Sequence, residues 1–167
     1  MKQKILVKRI NPNIELPKVI RKGDWIDLRC SETIRFNAPQ SGTLKGRNIN
    51  GQQERYRNVS FDIKLIPLGI AMQLPDGMEA IVVSRSSTPI GMGISCVNSF
   101  GVIDGNSEGL GYNGPNDEWK YPAIAWRDTL IKEGERICQF RVQLSQKATF
   151  WHKIKWLLSN GIEIVDL

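Results

Sequence analysis

A single carboxylate, Asp104, closes the run Asn98, Ser99, Phe100, Gly101, Val102, Ile103. An Asp placed after an apolar run at a Gly-rich hairpin mouth either ends a solvated turn or acts as a base aimed at a water beside a bound ligand. At neutral pH an Asp of ordinary pKa is ionised and can accept that proton. Upstream stand Ser84, Arg85, Ser86 and Ser87, with Pro89 near the start of a helical turn. Their hydroxyls and guanidinium can cradle phosphate oxygens, or simply make an N-capped turn. Downstream, Arg136 leaves a tight turn after Gly134, and Gln139 follows three residues later. Residues three apart on a regular strand point to opposite faces, so both reach one phosphate only on a twisted strand or at a subunit junction. Asp27 adds a second carboxylate, which either steers metal-bound waters or pairs with Arg85.

The elements that must hold these groups read as strands. Short apolar or alternating runs at 5–7, 25–28, 59–66, 79–83, 123–126 and 136–144 are each bounded by Gly, Pro, Asn or Asp. Many short strands without βαβ alternation predict a β-sandwich or jelly roll, here as one domain spanning 1–167. One segment differs. Over 146–159, Phe150, Ile154, Leu157 and Leu158 follow helical spacing beside Trp151, with lysines between them, and Asn160 and Gly161 supply a stop. This predicts an amphipathic helix packed on the body, followed by a last strand at 162–165.

A chain of 167 residues with 41% apolar content can bury a core without disulfide or metal staples. No apolar run approaches the length of a membrane span, and the N-terminal apolar run breaks too soon for a secretory signal, so a cytoplasmic protein with no membrane partner is expected. Cys30, Cys96 and Cys138 are too far apart for a short-spaced zinc site and fit packed thiols in a reducing compartment. The net charge of +6 is uneven. Between 31 and 57, Arg35, Lys45, Arg47, Arg55 and Arg57 outnumber Glu32 and Glu54. With only Phe36 and Tyr56 as interleaved aromatics, this stretch fits a solvated basic loop or hairpin better than a nucleic-acid surface.

Taken in order, Asp27 and Leu28, the 84–87 segment, the 98–104 segment with Tyr112, Asn113 and Gly114, and the 134–139 segment resemble four motifs of the homotrimeric dUTPase family. The resemblance covers about 23–139. It implies a β jelly roll with three sites between subunits, hydrolysing dUTP to dUMP and pyrophosphate with Mg²⁺. On this basis Asp104 activates the attacking water and Tyr112 packs under the deoxyribose. Asn98, Gly101 and Val102 read uracil through backbone groups and the Asn amide, excluding a thymine methyl. Arg85, Ser86, Ser87 and Gln139 hold the phosphates around Mg²⁺, Arg136 supports them, and Asp27 meets the metal indirectly, through water.

The chain departs from the family pattern in three places. Residues 105–111 separate Asp104 from Tyr112 where the family usually has about two; the other register puts Ser107 at the aromatic position, while Gly105, Gly109 and Gly111 would let the insertion bulge. The Gly-rich fifth motif is missing: 164–167 falls about where that closing arm would begin, which implies trimming, another closing element, or poor turnover. The helix and the basic 31–57 segment are additions to the family core, of the kind a phage or prophage member would carry. The alternative to hydrolysis is a dUTPase-like sensor with a regulatory protein partner. The related dCTP deaminases fit less well, because Ile103, Asp104, Gly105 and Asn106 stand where those enzymes have an Asp-Pro-Gly turn.

Overall fold

The computed structural model describes residues 1–21, 23–105 and 112–167. Its strands, in chain order, are β1 (Gln3–Arg9), β2 (Ile26–Arg29), β3 (Ile34–Phe36), β4 (Gln40–Arg47), β5 (Gln53–Ser60), β6 (Ile63–Gln73) and β7 (Met78–Ser84). They continue with β8 (Ile94–Cys96), β9 (Phe100–Ile103), β10 (Glu118–Ala125), β11 (Thr129–Ile131), β12 (Arg136–Leu144) and β13 (Ile162–Asp166). Among the described residues one α-helix, α1 (Phe150–Leu157), precedes the last strand, and a wide helical turn, Thr88–Met92, follows β7.

Alternation builds two facing sheets. Along β7 the side chains of Met78, Ala80 and Val82 are buried, and along β1 those of Gln3, Ile5 and Val7. The period of two turns one face of each strand to the core. One sheet has the order β13-β1-β6-β10-β8 and the other β2-β12-β7-β9, with small pairs β11-β3 and β4-β5 beside them. The two inner faces share one core, in which Trp119 of the first sheet meets Phe140 of the second edge to face at 5.4 Å. Tyr121 spans the same gap: its hydroxyl lies 2.5 Å from Ser84 Oγ, and burial keeps its phenol protonated well above the usual range. The expected all-β sandwich with one C-terminal helix is therefore the observed fold.

The expected strand at 59–66 is two strands. Asp62 makes the corner between β5 and β6, accepting the Asn37 backbone N–H at 2.9 Å and pairing with Lys64 at 3.2 Å. The Asn37 hydrogen bond, helped by Lys64, holds its carboxyl below the ordinary range. Alternation runs straight through this corner, so periodicity alone could not reveal it.

The basic segment resolves differently from its 31–57 reading: the hairpin is β4 and β5, while β3 pairs with β11. The helix is shorter than 146–159 because Thr149 caps it. The His152 N–H donates to Thr149 Oγ1 at 3.4 Å, and the Thr149 N–H donates to His152 Nδ1 at 3.2 Å. Its predicted apolar stripe does not face the body. Phe150, Trp151, Leu157 and Leu158 are exposed, while His152 lies against Gly77 and Trp156 packs on the core. The helix is held from its C-terminal end, where Gln3 donates to the Lys155 carbonyl and the Asn160 N–H donates to the Met1 carbonyl. That tether sets which face turns inward. The chain then runs into β13, parallel to β1 with Ile162 opposite Gln3.

Cys30 and Cys138 are fully buried and Cys96 partly so, with no disulfide among them. Burial pushes the Cys30 thiol up to about 11 and raises the other two, so all three stay protonated near neutral pH. No helix of the described residues is long and apolar enough to cross a membrane.

Candidate active site

Two arginines share one carboxylate at the end of the second sheet. Asp27 on β2 accepts Arg85 Nε at 2.8 Å on one oxygen and Arg136 Nη1 at 3.0 Å on the other. Arg85 Nη1 also reaches Ser87 Oγ and the Arg136 carbonyl, each at 3.4 Å. One negative charge against two positive charges leaves an excess cation at a surface where Arg136 is half exposed. Ser86 and Ser87 are exposed beside it. Ser87 stands at the start of the Thr88–Met92 turn without capping it, so the turn leaves its hydroxyl available to the arginine.

The face conflict between Arg136 and Gln139 is removed by a bulge. Arg136 is opposite Arg29 and Gln139 opposite Asp27, with the register shifting between Arg136 and Cys138. Two residues on β2 therefore span three on β12. Ile137 and Cys138 are both buried, and Arg136 and Gln139 return to the same outer face. Thr88, which sequence reasoning passed over, is fully buried and donates to the Ile137 carbonyl at 2.7 Å, pinning the Arg85 turn onto this bulge. A Thr close behind an Arg-Ser-Ser string is too ordinary to have signalled this.

Of the remaining candidates, Gly101 and Val102 lie on β9, the edge strand beside β7, with Asn98 before it and Asp104 after it. β8 pairs with β10 and β9 with β7, so the turn carrying Asn98 crosses between sheets and does not close a hairpin of β8 on β9. Ser107, the other register for the sugar-facing position, lies outside the described residues. Asn98 is exposed and accepts the Cys96 thiol at 3.0 Å. Gly101 lies opposite Val82, Val102 is 47% exposed, and Tyr112 is 49% exposed. Asp104 is exposed, one step beyond the pair of Ala80 with Ile103.

Asn113 ties this end together. Its side-chain oxygen accepts the Leu74 N–H at 2.7 Å, and its amide donates to the Gly105 carbonyl at 3.1 Å. Next to it, the Tyr112 carbonyl accepts Trp119 Nε1–H at 2.6 Å. Gly105 is packed so closely on the Met78 backbone that a Cβ there would fall 1.4 Å from the Met78 oxygen. Both flanks of the 106–111 segment are thus anchored to β6, β7 and β10.

Within the chain the candidate groups do not converge. Phe100 pairs with Val83 and Ile103 with Ala80, so Asp104 lies at the end of the ladder remote from Arg85. Five residues from Ala80 to Arg85, at about 3.4 Å each, place roughly 17 Å between the two ends. Three concavities of the chain, beside Gln73, Arg29 and Lys120, contain none of the candidate residues.

The chain is an all-β, two-sheet sandwich with an arginine pair at one sheet end and a carboxylate just past an edge strand. No protein-family model matches the chain. It is 42% identical over 129 residues, 77% of this chain and 72% of the other, to the SPbeta prophage-derived deoxyuridine 5'-triphosphate nucleotidohydrolase YosS of Bacillus subtilis. The fold is similar to a Staphylococcus bacteriophage 80alpha dUTPase variant solved with dUpNHpp (TM-score 0.58, 15% identity, 87% and 93% of the two chains). It also resembles a variant of the phage phi11 dUTPase of S. aureus, whose structure details a structural Mg(II) ion (TM-score 0.60, 14% identity, 87% and 94%). The chain belongs to the deoxyuridine 5'-triphosphate nucleotidohydrolase, or dUTPase, family.

Proposed function

We propose that this protein hydrolyses dUTP to dUMP and pyrophosphate, at sites that neighbouring protomers of a homotrimer complete for one another. The Asp27-held pair of Arg85 and Arg136 carries the reading, because a fixed, outward cation pair is what a triphosphate requires. Ser86, Ser87 and Gln139 stand beside the pair to receive phosphate oxygens. Asn98 and the backbone of Gly101 and Val102 read uracil, on an edge of β9 that no described strand pairs. Tyr112 packs under the deoxyribose. The water oxygen attacks the α-phosphorus, the bond from that phosphorus to the α,β-bridging oxygen breaks, pyrophosphate leaves, and Asp104 takes the water's proton.

Mg²⁺ fits as a companion of the substrate. Both oxygens of Asp27 are committed to arginines, and among the described residues no group of three His, Cys, Asp or Glu side chains is placed to hold a metal ion. Mg²⁺ would be carried by the triphosphate and water, with Asp27 reaching it only through water. When bound it neutralises phosphate charge.

Two unlike apolar patches support the trimer. On β6 and β10, Ile63 faces Ile124 and Leu65 faces Pro122 on the outer surface, with Ile63 56% and Leu65 59% exposed. On β9, Phe100 and Val102 are half exposed. Different patches on one chain suit head-to-tail contacts that close into a ring, and such a ring can bring the Asp104 of one protomer to the arginine pair of the next.

Pyrophosphate release from dUTP, set against dTTP and UTP, tests the function. Release from dUTP alone is expected; binding of dUTP without release would leave the sensor reading in place. Asn113→Ala tests the anchoring. Leaving the Leu74 N–H and Gly105 carbonyl unpartnered costs on the order of 1–3 kcal/mol. Because Asp104 adjoins Gly105, kcat is expected to fall roughly 10-fold or more through misplacement, with KM changing less. An unchanged kcat would free Asp104 from this support.

A further inference from the structure

The hairpin of β4 and β5 contributes no residue to the proposed hydrolytic site. Its register pairs Thr43 with Arg57, Lys45 with Arg55 and Arg47 with Gln53. Directly opposed residues share a face and alternate residues along a strand share it too, so Lys45, Arg47, Arg55 and Arg57 line one side of the ribbon. All four are exposed, and among the described residues none of them makes an ion pair. The hairpin's one acid, Glu54, belongs to the other face, where it accepts the Asn48 amide at 2.7 Å.

Setting Lys45 directly across from Arg55 is unfavourable in an isolated hairpin, since like charges opposite one another repel. An anionic partner reverses that sign. Along each strand the paired cations are two residues apart, about 6.8 Å, which is twice the 3.4 Å per-strand phosphate spacing of duplex DNA. A regular linear polyanion matches that spacing better than the scattered acids of a protein surface. The ribbon's eight-residue strands span about 27 Å, and two-stranded ribbons of this kind enter a groove of duplex DNA.

The tip adds a second feature. Asn48 Oδ1 accepts the N–H groups of Asn50 and Gln52 at 3.0 and 2.9 Å, and the ordered turn presents Ile49 fully to solvent. An apolar residue at the end of a cationic β-ribbon has the form of a wedge against a base step. The scarcity of stacking aromatics, which argued against nucleic acid in the sequence, weighs against single strands. A duplex is gripped through its phosphates.

We propose that the β4–β5 hairpin is a duplex-DNA-binding arm, independent of the hydrolytic site. The test is fluorescence anisotropy of a labelled duplex with the full chain at about 50 and 200 mM salt. Four phosphate contacts give a log–log slope near −3.6, so affinity is expected to fall about 150-fold between those salts. The variant combining Lys45→Gln, Arg47→Gln, Arg55→Gln and Arg57→Gln should lose this binding while releasing pyrophosphate from dUTP at the parent rate. Ile49→Ser should keep the salt slope and reduce duplex bending, read as energy transfer between end-labels. The proposal is overturned by no binding at low salt, by equal binding of the four-site variant, or by preference for single-stranded DNA, RNA or a poly-glutamate peptide over the duplex.

Discussion

Asp104→Asn is expected to cut kcat for dUTP hydrolysis by ~10²- to 10⁴-fold while leaving dUTP binding nearly intact. The substitution keeps shape and polarity but removes the only charge that Asp104 contributes. An amide oxygen can still orient a water through a hydrogen bond, yet it cannot take up the proton as the bond to phosphorus forms. Asp104 is exposed and follows β9, with Gly105 anchored behind it by Asn113, so the swap should not disturb folding. Single-turnover release of pyrophosphate, together with titration of a nonhydrolysable dUTP analogue, separates the two effects. A variant that still turns over within 10-fold of the parent would remove Asp104 from the proton-accepting role.

Arg85→Ala should be inactive for a different reason, and the two defects should cure each other in mixed trimers. Removing Arg85 leaves the Asp27 carboxylate with Arg136 alone and takes one cation from the triphosphate subsite. Because Asp104 and Arg85 lie at opposite ends of the β7–β9 ladder, a site built between protomers draws them from different chains. In trimers assembled from equal amounts of Asp104→Asn and Arg85→Ala chains, a given site is competent when its Asp104 comes from the second chain and its Arg85 from the first. That is a half times a half, about one quarter of parent activity per site for random assembly of a head-to-tail ring. Recovery to about that level after co-refolding, from two preparations that are each inactive, is the expected result. No recovery in verified mixed trimers would place both residues in one protomer's site and contradict the shared arrangement.

Much of the candidate site was legible because its residues lie close together in sequence. Arg85, Ser86 and Ser87 are contiguous, and Asp104 ends a recognisable apolar run. The pairing of Asp27 with Arg85 was one of two alternatives, and the structure shows that ion pair extended to Arg136. The parity problem at Arg136 and Gln139 could be posed from spacing but not solved, because a bulge is a property of the partner strand's register. The parts played by Thr88 and Asn113 were missed for a related reason: each acts through side-chain hydrogen bonds to backbone groups outside its own motif, Thr88 to Ile137 and Asn113 to Leu74 and Gly105. The helix misled, because its apolar spacing was real while its docking is set by Gln3 and by the Asn160 contact with Met1.

Amino-acid order alone determined that the chain makes short strands around one core, that it sets an Asp at the end of an apolar run and an Arg-Ser-Ser string before a helical turn, and that its motifs fall in the order of the dUTPase family. Those properties depend on neighbours a few residues apart, where alternation and turn chemistry act directly. Tertiary structure decided the rest. It put Asp104 far from the arginines within one protomer, returned Arg136 and Gln139 to one face, and gathered the cations of β4 and β5 on a single side of their ribbon. Register and sheet order pair residues remote in sequence, and only the folded pairing says which side chains share a surface.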